Sequence, residues 1–245
     1  MNKKVIYTAI FGGKDILQEP KFLPEGFDFV CFTDDRNVKS GVWDIRYMDA
    51  PFEDPVRSAR YCKVLAHKHL PGYDISVWMD GNMVVKGDIN KLIEKYLKEY
   101  NLAVYNHYNQ KKRFLGMFWV RDISLSRNCV YEEAKDLLFR NKNDRHIDDP
   151  ILIQNQINRY QAEGYPKNNG LAVTRVLIRK HNESRVKDLM ELWRSEIKNG
   201  SRRDQLSFNY AVWRLSFPFV YIKGDPRYDG YFMRVKHVIR ENYKQ

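Results

Sequence analysis

Apolar and polar residues follow two rhythms along this chain. Val5 to Phe11 is a short apolar run closed by Gly12-Gly13, the pattern of a buried strand that stops at a turn. Phe27 to Phe32 repeats it and ends in Thr33-Asp34-Asp35, and Trp43 to Met48 reads as a third strand. Ser58 to Leu70 changes to a helical period, stopped by Pro71-Gly72. Ile75 to Met79 is again strand-like and runs into Asp80-Gly81-Asn82; a helix over 89–100 and a strand over 102–105 follow. The second half is less regular. Helices are expected over 131–139, 150–160, 184–197 and 205–215, and strands over 173–178 and 219–222. The tail from Tyr228 to Gln245 is basic and aromatic. This alternation predicts an α/β layer fold with a mostly parallel central sheet flanked by helices. No repeat, low-complexity tract or Pro/Gly/Ser linker interrupts the 245 residues, so one domain is expected.

Composition narrows the partners. Hydrophobic residues make up 43% and aromatics 14%, enough for a sizeable core and too much for general disorder. Forty-two Lys and Arg against 31 Asp and Glu leave a net charge of +11, which favours an anionic partner without choosing one. No helix-turn-helix, finger or RNA-binding sheet motif accompanies that charge, so nucleic acid is not expected as the partner. The three cysteines, Cys31, Cys62 and Cys129, are too scattered for a disulfide framework or a cysteine zinc site. They fit a reducing compartment. No secretory leader or membrane-spanning run is visible. The expectation is a cytoplasmic protein, with peripheral contact at the inner membrane face left open.

The strongest local signal is Trp78-Met79-Asp80-Gly81-Asn82. A carboxylate closes an apolar strand, at the strand end where open α/β sheets collect ligands. Asp80 and Asn82 could share one hard cation, and Gly81 allows close backbone approach; an ordinary Asp-Gly-Asn turn explains the same spacing. The preceding helix places Arg57, Arg60, Lys63 and His67 on one face and Ala59, Cys62, Ala66 and Leu70 on another. The basic face is either solvated or a diphosphate cradle. Further along, Arg202-Arg203-Asp204-Gln205 opens a helix that carries Asn209. Asp204 there reads as an N-cap, for which Asn would substitute without loss of stability. Asn168-Asn169-Gly170 is a polar turn, and His237 is a lone histidine near the chain end.

Several of these segments, in order, resemble a known family. Tyr7-Thr8-Ala9-Ile10-Phe11-Gly12-Gly13, Phe29-Val30-Cys31-Phe32-Thr33-Asp34, Arg57 to Lys63, Trp78 to Asn82, Arg127 to Ala134, Asn168 to Leu171 and Arg202 to Phe208 are similar to the glycosyltransferase-like domain shared by bacterial and plant mucilage-related proteins. The similarity runs from near residue 5 to near residue 215. A more distant one, through Lys63, Leu70-Pro71, Trp78 to Val85 and Gly87-Asp88-Ile89, is to the glycogenin and lipopolysaccharide galactosyltransferase group, which has the GT-A fold and an Asp-x-Asp metal motif. Asn82 stands here for the second acid.

The resemblance implies a single GT-A-like domain over 1–245, with a nucleotide-sugar half to about 125 and an acceptor half from about 126. It implies transfer of a sugar from a nucleotide-diphospho-sugar donor to a saccharide or glycolipid acceptor, in surface polysaccharide or lipopolysaccharide synthesis. Mn²⁺ or Mg²⁺ would be held by Asp80, Asn82 and His237. Thr8, Ala9 and Phe11 would border the base; Arg57, Arg60, Lys63, Gly81 and Asn169 would complete the donor site. Asp204 would meet donor-sugar hydroxyls or act as base, with Gln205 near the anomeric carbon. A non-catalytic carbohydrate- or nucleotide-binding protein, and a sugar nucleotidyltransferase, are the competing readings.

Overall fold

A computed structural model describes residues 2–109, 111–114, 118–121, 126–142 and 148–239. In chain order the elements are β1 (Lys4–Ile10), β2 (Phe27–Thr33), β3 (Asp44–Tyr47), α1 (Pro55–Val64), α2 (Ala66–His69), β4 (Ile75–Met79), β5 (Met83–Val85), α3 (Asn90–Tyr96) and β6 (Leu102–Asn106). After a 3-10 turn come β7 (Lys111–Phe114), β8 (Phe118–Arg121), α4 (Val130–Lys142), α5 (Pro150–Ala162), β9 (Ala172–Arg179), α6 (Ser184–Asn199), α7 (Gln205–Arg214), β10 (Val220–Ile222) and β11 (Phe232–Arg234). The last residues of the basic tail, 240–245, and the junction expected at 125 lie outside the described residues.

Among the described residues the central sheet has seven strands in the order β10-β6-β9-β4-β1-β2-β3. The pairs β1–β2, β1–β4, β2–β3 and β6–β10 are parallel, and β9 runs antiparallel to both β4 and β6. The sheet is thus mostly parallel, as the alternation of elements predicts. Its centre reads as continuous apolar runs because it is covered on both faces. Val5, Tyr7, Trp78 and Leu177 face α1, α6 and α7 in one buried cluster; Ile6, Val77, Val85, Leu92 and Phe232 form the other. A third cluster, with Tyr160, Tyr165, Leu206 and Tyr210, ties α4 and α5 to α7.

The helix expected over 58–70 divides in two. It begins earlier because the Asp54 carboxylate accepts a hydrogen bond from the Val56 amide, with Pro55 in the first turn. It breaks at Leu65, whose ψ of 42° leaves the helical region, so α2 is a separate turn. The expected basic face is divided with it. His67 leaves the others to contact Glu191 on α6. No helix among the described residues is long and apolar enough to cross a membrane.

Candidate active site

β4 ends in Asp80 at the centre of the sheet, and the Asp80 amide donates to the Arg175 carbonyl of β9 at 2.9 Å. Trp78 Nε1 donates to Asp80 Oδ1 at 3.0 Å, so the last turn of the strand aims the carboxylate. α1 brings two cations to it. Arg60 Nη1 lies 3.3 Å and Lys63 Nζ 3.5 Å from Asp80 Oδ1. Asp204 reaches the same cations from the start of α7. Its Oδ2 accepts from Lys63 Nζ and, at 2.9 Å, from the Thr174 hydroxyl, while Arg60 Nε lies 3.4 Å from its Oδ1. Residues distant in the chain thus meet in an alternating quartet of two cations and two carboxylates.

Burial makes this quartet consequential. Lys63 is 0% exposed, packed between the rings of Trp78 and Trp193, whose centroids lie 5.6 and 5.9 Å from Nζ. The reading of α1's polar face as a solvated surface therefore fails at this residue. Burial alone would raise the Asp204 carboxyl, but the Arg60 guanidinium and the Lys63 ammonium outweigh it and hold it far below the usual carboxylate range. Asp80 is shifted the same way: burial opposes ionisation, and Lys63 with Arg60 wins. Burial pulls the Lys63 ammonium below its ordinary value against the attraction of Asp204 and Asp80.

The capping account of Asp204 is corrected. Its backbone is helical, φ −55° and ψ −28°, and its side chain makes no capping hydrogen bond because the carboxylate is turned to Lys63, Thr174 and Arg60. So low a proton affinity also makes it a weak general base. Gln205 donates to the Ala172 carbonyl at 3.0 Å, and Asn209 Oδ1 accepts from the Ala172 amide at 2.8 Å; together they clamp the start of β9.

A cleft of about 310 Å³ opens between β1, α1 and the end of β4, with Ala9, Phe11, Arg60, Asp80, Gly81 and His237 on its walls. Gly81 has little room for a side chain: a Cβ would stand 3.1 Å from Ile10 Cγ1. Thr8 is fully buried within β1 and does not line this cleft. Arg57 turns away, donating to the Ile197 carbonyl and, at 2.9 Å, to that of Gly200 at the end of α6. Asn169 is exposed in the turn before β9, its carbonyl accepting from Asn209 Nδ2 at 3.3 Å.

His237, by contrast, is brought in. β11 pairs antiparallel with β5, and the Val235 amide continues the ladder to the Asn82 carbonyl at 2.9 Å. His237 Nδ1 donates to Asp15 at 2.9 Å, which leaves the Nε2 lone pair facing Asn82 Nδ2 at 3.1 Å. Asp15 and burial act in opposite directions on the imidazole, and Asp15 prevails, raising its proton affinity.

The implied divalent ion can be tested against this donor set. One carboxylate, one amide and one imidazole oriented by a second carboxylate suit a hard or borderline cation. Among the described residues no three His, Cys, Asp or Glu side chains form a ready metal cage. An ion held by Asp80, Asn82 and His237 therefore needs oxygens of a bound ligand to complete its shell.

Thr174, Arg175 and Asp15 also belong to this region and carry no sequence signal, and Trp78, though part of the Asp80 motif, shows none for its hydrogen bond to that carboxylate. A hydroxyl and an arginine within a strand and an acid in a loop are ordinary until the fold assembles them.

The model of the family described as TOD1/MUCI70, glycosyltransferase-like domain, matches residues 1–117 and 120–225. The chain is 25% identical over 234 residues to the probable hexosyltransferase MUCI70 of Arabidopsis thaliana, covering 84% of this chain and 36% of that protein. It thus spans little more than a third of the length of that curated relative. Similar solved structures are the apo form of the bifunctional glycosyltransferase WbbM (TM-score 0.46, 10% identity, 92% of this chain and 39% of that one) and apo mouse xyloside xylosyltransferase 1 (TM-score 0.44, 9% identity, 87% and 82%). Matched through both halves of its length, the chain belongs to the TOD1/MUCI70 family of glycosyltransferase-like domains.

Proposed function

We infer that this chain is a glycosyltransferase of GT-A type, moving a hexosyl or related unit from a nucleotide-diphospho-sugar to a saccharide or glycolipid acceptor in surface polysaccharide synthesis. The observation that carries the reading is Asp80, an ionised carboxylate at the carboxyl end of the central strand, on the wall of the cleft and within 3.5 Å of Arg60 and Lys63. Family membership supports the transfer chemistry, and the cleft beside β1 supports a nucleotide in that place.

In the transfer an acceptor hydroxyl oxygen bonds to the anomeric carbon as the bond from that carbon to the diphosphate oxygen breaks. Negative charge grows on the diphosphate, and the proton of the acceptor hydroxyl passes to a phosphate oxygen of that leaving group or to water. Arg60 borders the cleft and offers fork-shaped donors to the departing phosphate; Lys63 sustains the field from behind. A Mn²⁺ or Mg²⁺ ion held by Asp80, Asn82 and His237 would supply Lewis-acid neutralisation of the same charge. Asp204, ionised and anchored, is suited to accept hydrogen bonds from sugar hydroxyls while keeping Arg60 and Lys63 in place. Gln205 and Asn209 fix the edge of β9 against which the acceptor would lie.

The test is incubation with a panel of nucleotide sugars, with and without Mn²⁺, and detection of released nucleoside diphosphate. Release that disappears in Asp80→Ala is the expected result. Tight nucleotide binding with no release from any donor would favour a binding protein on the same fold, the reading that Asn82 in place of an acid favours.

A further inference from the structure

The quartet around Asp80 is balanced: Arg60 and Lys63 meet Asp80 and Asp204. Two further arginines stand next to it with no ion-pair partner of their own among the described residues. Arg175 lies on β9, directly beside Asp80, whose amide bonds to its carbonyl. Its Nη1 is buried with no hydrogen-bond partner. Arg203 immediately precedes Asp204, and its Nε is likewise buried and unpartnered.

The backbone explains why Arg175 sits where it does. Pairing of β6 with β9 jumps from Val104–Leu177 to Tyr105–Val173, so residues 174–176 form an irregular excursion next to Asp80. Such irregularities re-aim side chains near sites. Within it, Thr174 reaches Asp204 and Val176 enters the apolar core. Burial opposes the Arg175 charge, Asp80 supports it, and the charges of Arg234, Arg227 and Arg203 oppose it again. The same positive field reaches His107 at the end of β6, where burial, Arg127, Arg175 and Arg227 push the imidazole down to about 3. Arg227 is itself paired with Asp225 at 2.7 Å, so it is not the source of the surplus.

Topology separates this surplus from the nucleotide cleft. β4 is flanked by β1 on one side and β9 on the other. The cleft lies on the β1 side, and neither Arg175 nor Arg203 lines it. Both arginines are half-buried, and a guanidinium nitrogen buried without a partner is costly; such a group is kept where a ligand can supply that partner.

We propose that Arg175 and Arg203 form an oxyanion subsite on the β9 side of Asp80, which selects a saccharide acceptor carrying a carboxylate or a phosphate. The word acceptor rests on the glycosyl-transfer reading; the anion site does not. A charge-assisted hydrogen bond to such a group corresponds to about a ten- to hundredfold gain in affinity.

The probes are D-glucuronate, D-glucose 6-phosphate and neutral D-glucose, titrated into the wild type, Arg175→Gln, Arg175→Lys and Arg203→Gln by ligand-observed NMR. UDP, GDP, dTDP and CMP are titrated in parallel. The expected result is that an acidic sugar binds the wild type at least tenfold tighter than glucose. Arg175→Gln loses that preference, Arg175→Lys keeps part of it, and nucleotide affinity stays unchanged. Whichever acidic sugar binds better identifies the carboxylate or the phosphate as the group recognised. Arg175→Gln removes a charge that burial and three neighbouring arginines oppose, so its unfolding midpoint should not fall; Arg203→Gln gives the same comparison from the second guanidinium should the first variant not fold. Equal binding of glucose and both acids overturns the proposal. So does an Arg175→Gln variant that loses nucleotide affinity instead, because the guanidinium then serves the donor diphosphate. Binding of acidic sugars through Arg175 with no nucleotide binding at all would keep the subsite and remove the transfer reading.

Discussion

Replacing Asp204 by Asn leaves a polar side chain at the start of α7 but takes one charge from the buried quartet. Lys63 would keep only Asp80, at 3.5 Å, as its carboxylate partner, while remaining 0% exposed. Breaking a buried pair from one side costs about 3–5 kcal/mol, because the other charge stays buried without compensation. For a chain of this size each kcal/mol corresponds to about 2–4 °C, so the midpoint should fall by roughly 6–20 °C. Lys63→Met should be destabilised as well, though Asp204 then keeps Arg60 at 3.4 Å. The double variant Lys63→Met/Asp204→Leu should cost less than the sum of the two, since it removes both charges together. Thermal and urea unfolding of the wild type and these variants measures all of this. The pH dependence has a definite sign. Asp204 has a lower proton affinity folded than unfolded, so its contribution is complete above the unfolded value, about 4. It is lost as pH falls from there towards the lower folded value. The wild type should therefore lose stability more steeply below about pH 4 than Asp204→Asn does. An Asp204→Asn protein within about 0.5 kcal/mol of the wild type at pH 7, the range of an ordinary surface change, would refute the quartet as a stabilising element.

Asp80→Asn should lower nucleoside diphosphate release by about two orders of magnitude or more, the scale of losing one charged group at a reacting centre. Asn82→Ala, which removes no charge, should cost less in the same assay. Arg57→Ala should lose about 1–3 kcal/mol of stability by freeing the Ile197 and Gly200 carbonyls and leave donor KM unchanged, whereas Arg60→Ala should raise KM; steady-state kinetics beside urea unfolding separates the two. Gly87→Ala should loosen the chain end, because its Cβ would stand 2.2 Å from the Gly230 carbonyl oxygen. About 1–3 kcal/mol of destabilisation and a weaker Mn²⁺ affinity are expected, since the same segment carries His237.

The parts of this molecule that were legible in the sequence are those with short-range causes. The strands ending at Ile10, Thr33 and Met79 show as apolar runs closed by turn residues, and both the parallel sheet and Asp80 at a strand end follow from them. Asp54-Pro55 and Asp149-Pro150 start helices by local hydrogen bonds, the second at the expected Pro150 and the first three residues before the expected Ser58. Short strands such as β5 and β11 have too few residues for a period to show, and each exists because the other pairs with it. That pairing carries His237 to Asn82, 155 residues away, with Asp15 supplied by the loop after β1.

Helical spacing grouped Arg57, Arg60, Lys63 and His67, but it could not say which of them points where. The break at Leu65 and the end of α6 decide that. His67 goes to Glu191, Arg57 to the carbonyls at the end of α6, and only Arg60 and Lys63 to the carboxylates. A one-dimensional period fixes a face, and a face covers several neighbours. Lys63 shows the consequence most clearly. Its charge argued for solvent, yet Trp78, Trp193 and two acids from β4 and α7 make burial tolerable there. The capping reading of Asp204 failed for the same reason. A helix start is a sufficient local cause for an Asp, and the stronger cause lay 141 residues away in Lys63. Where a charged residue has an adequate local explanation, only the assembled core reveals that another partner has claimed it.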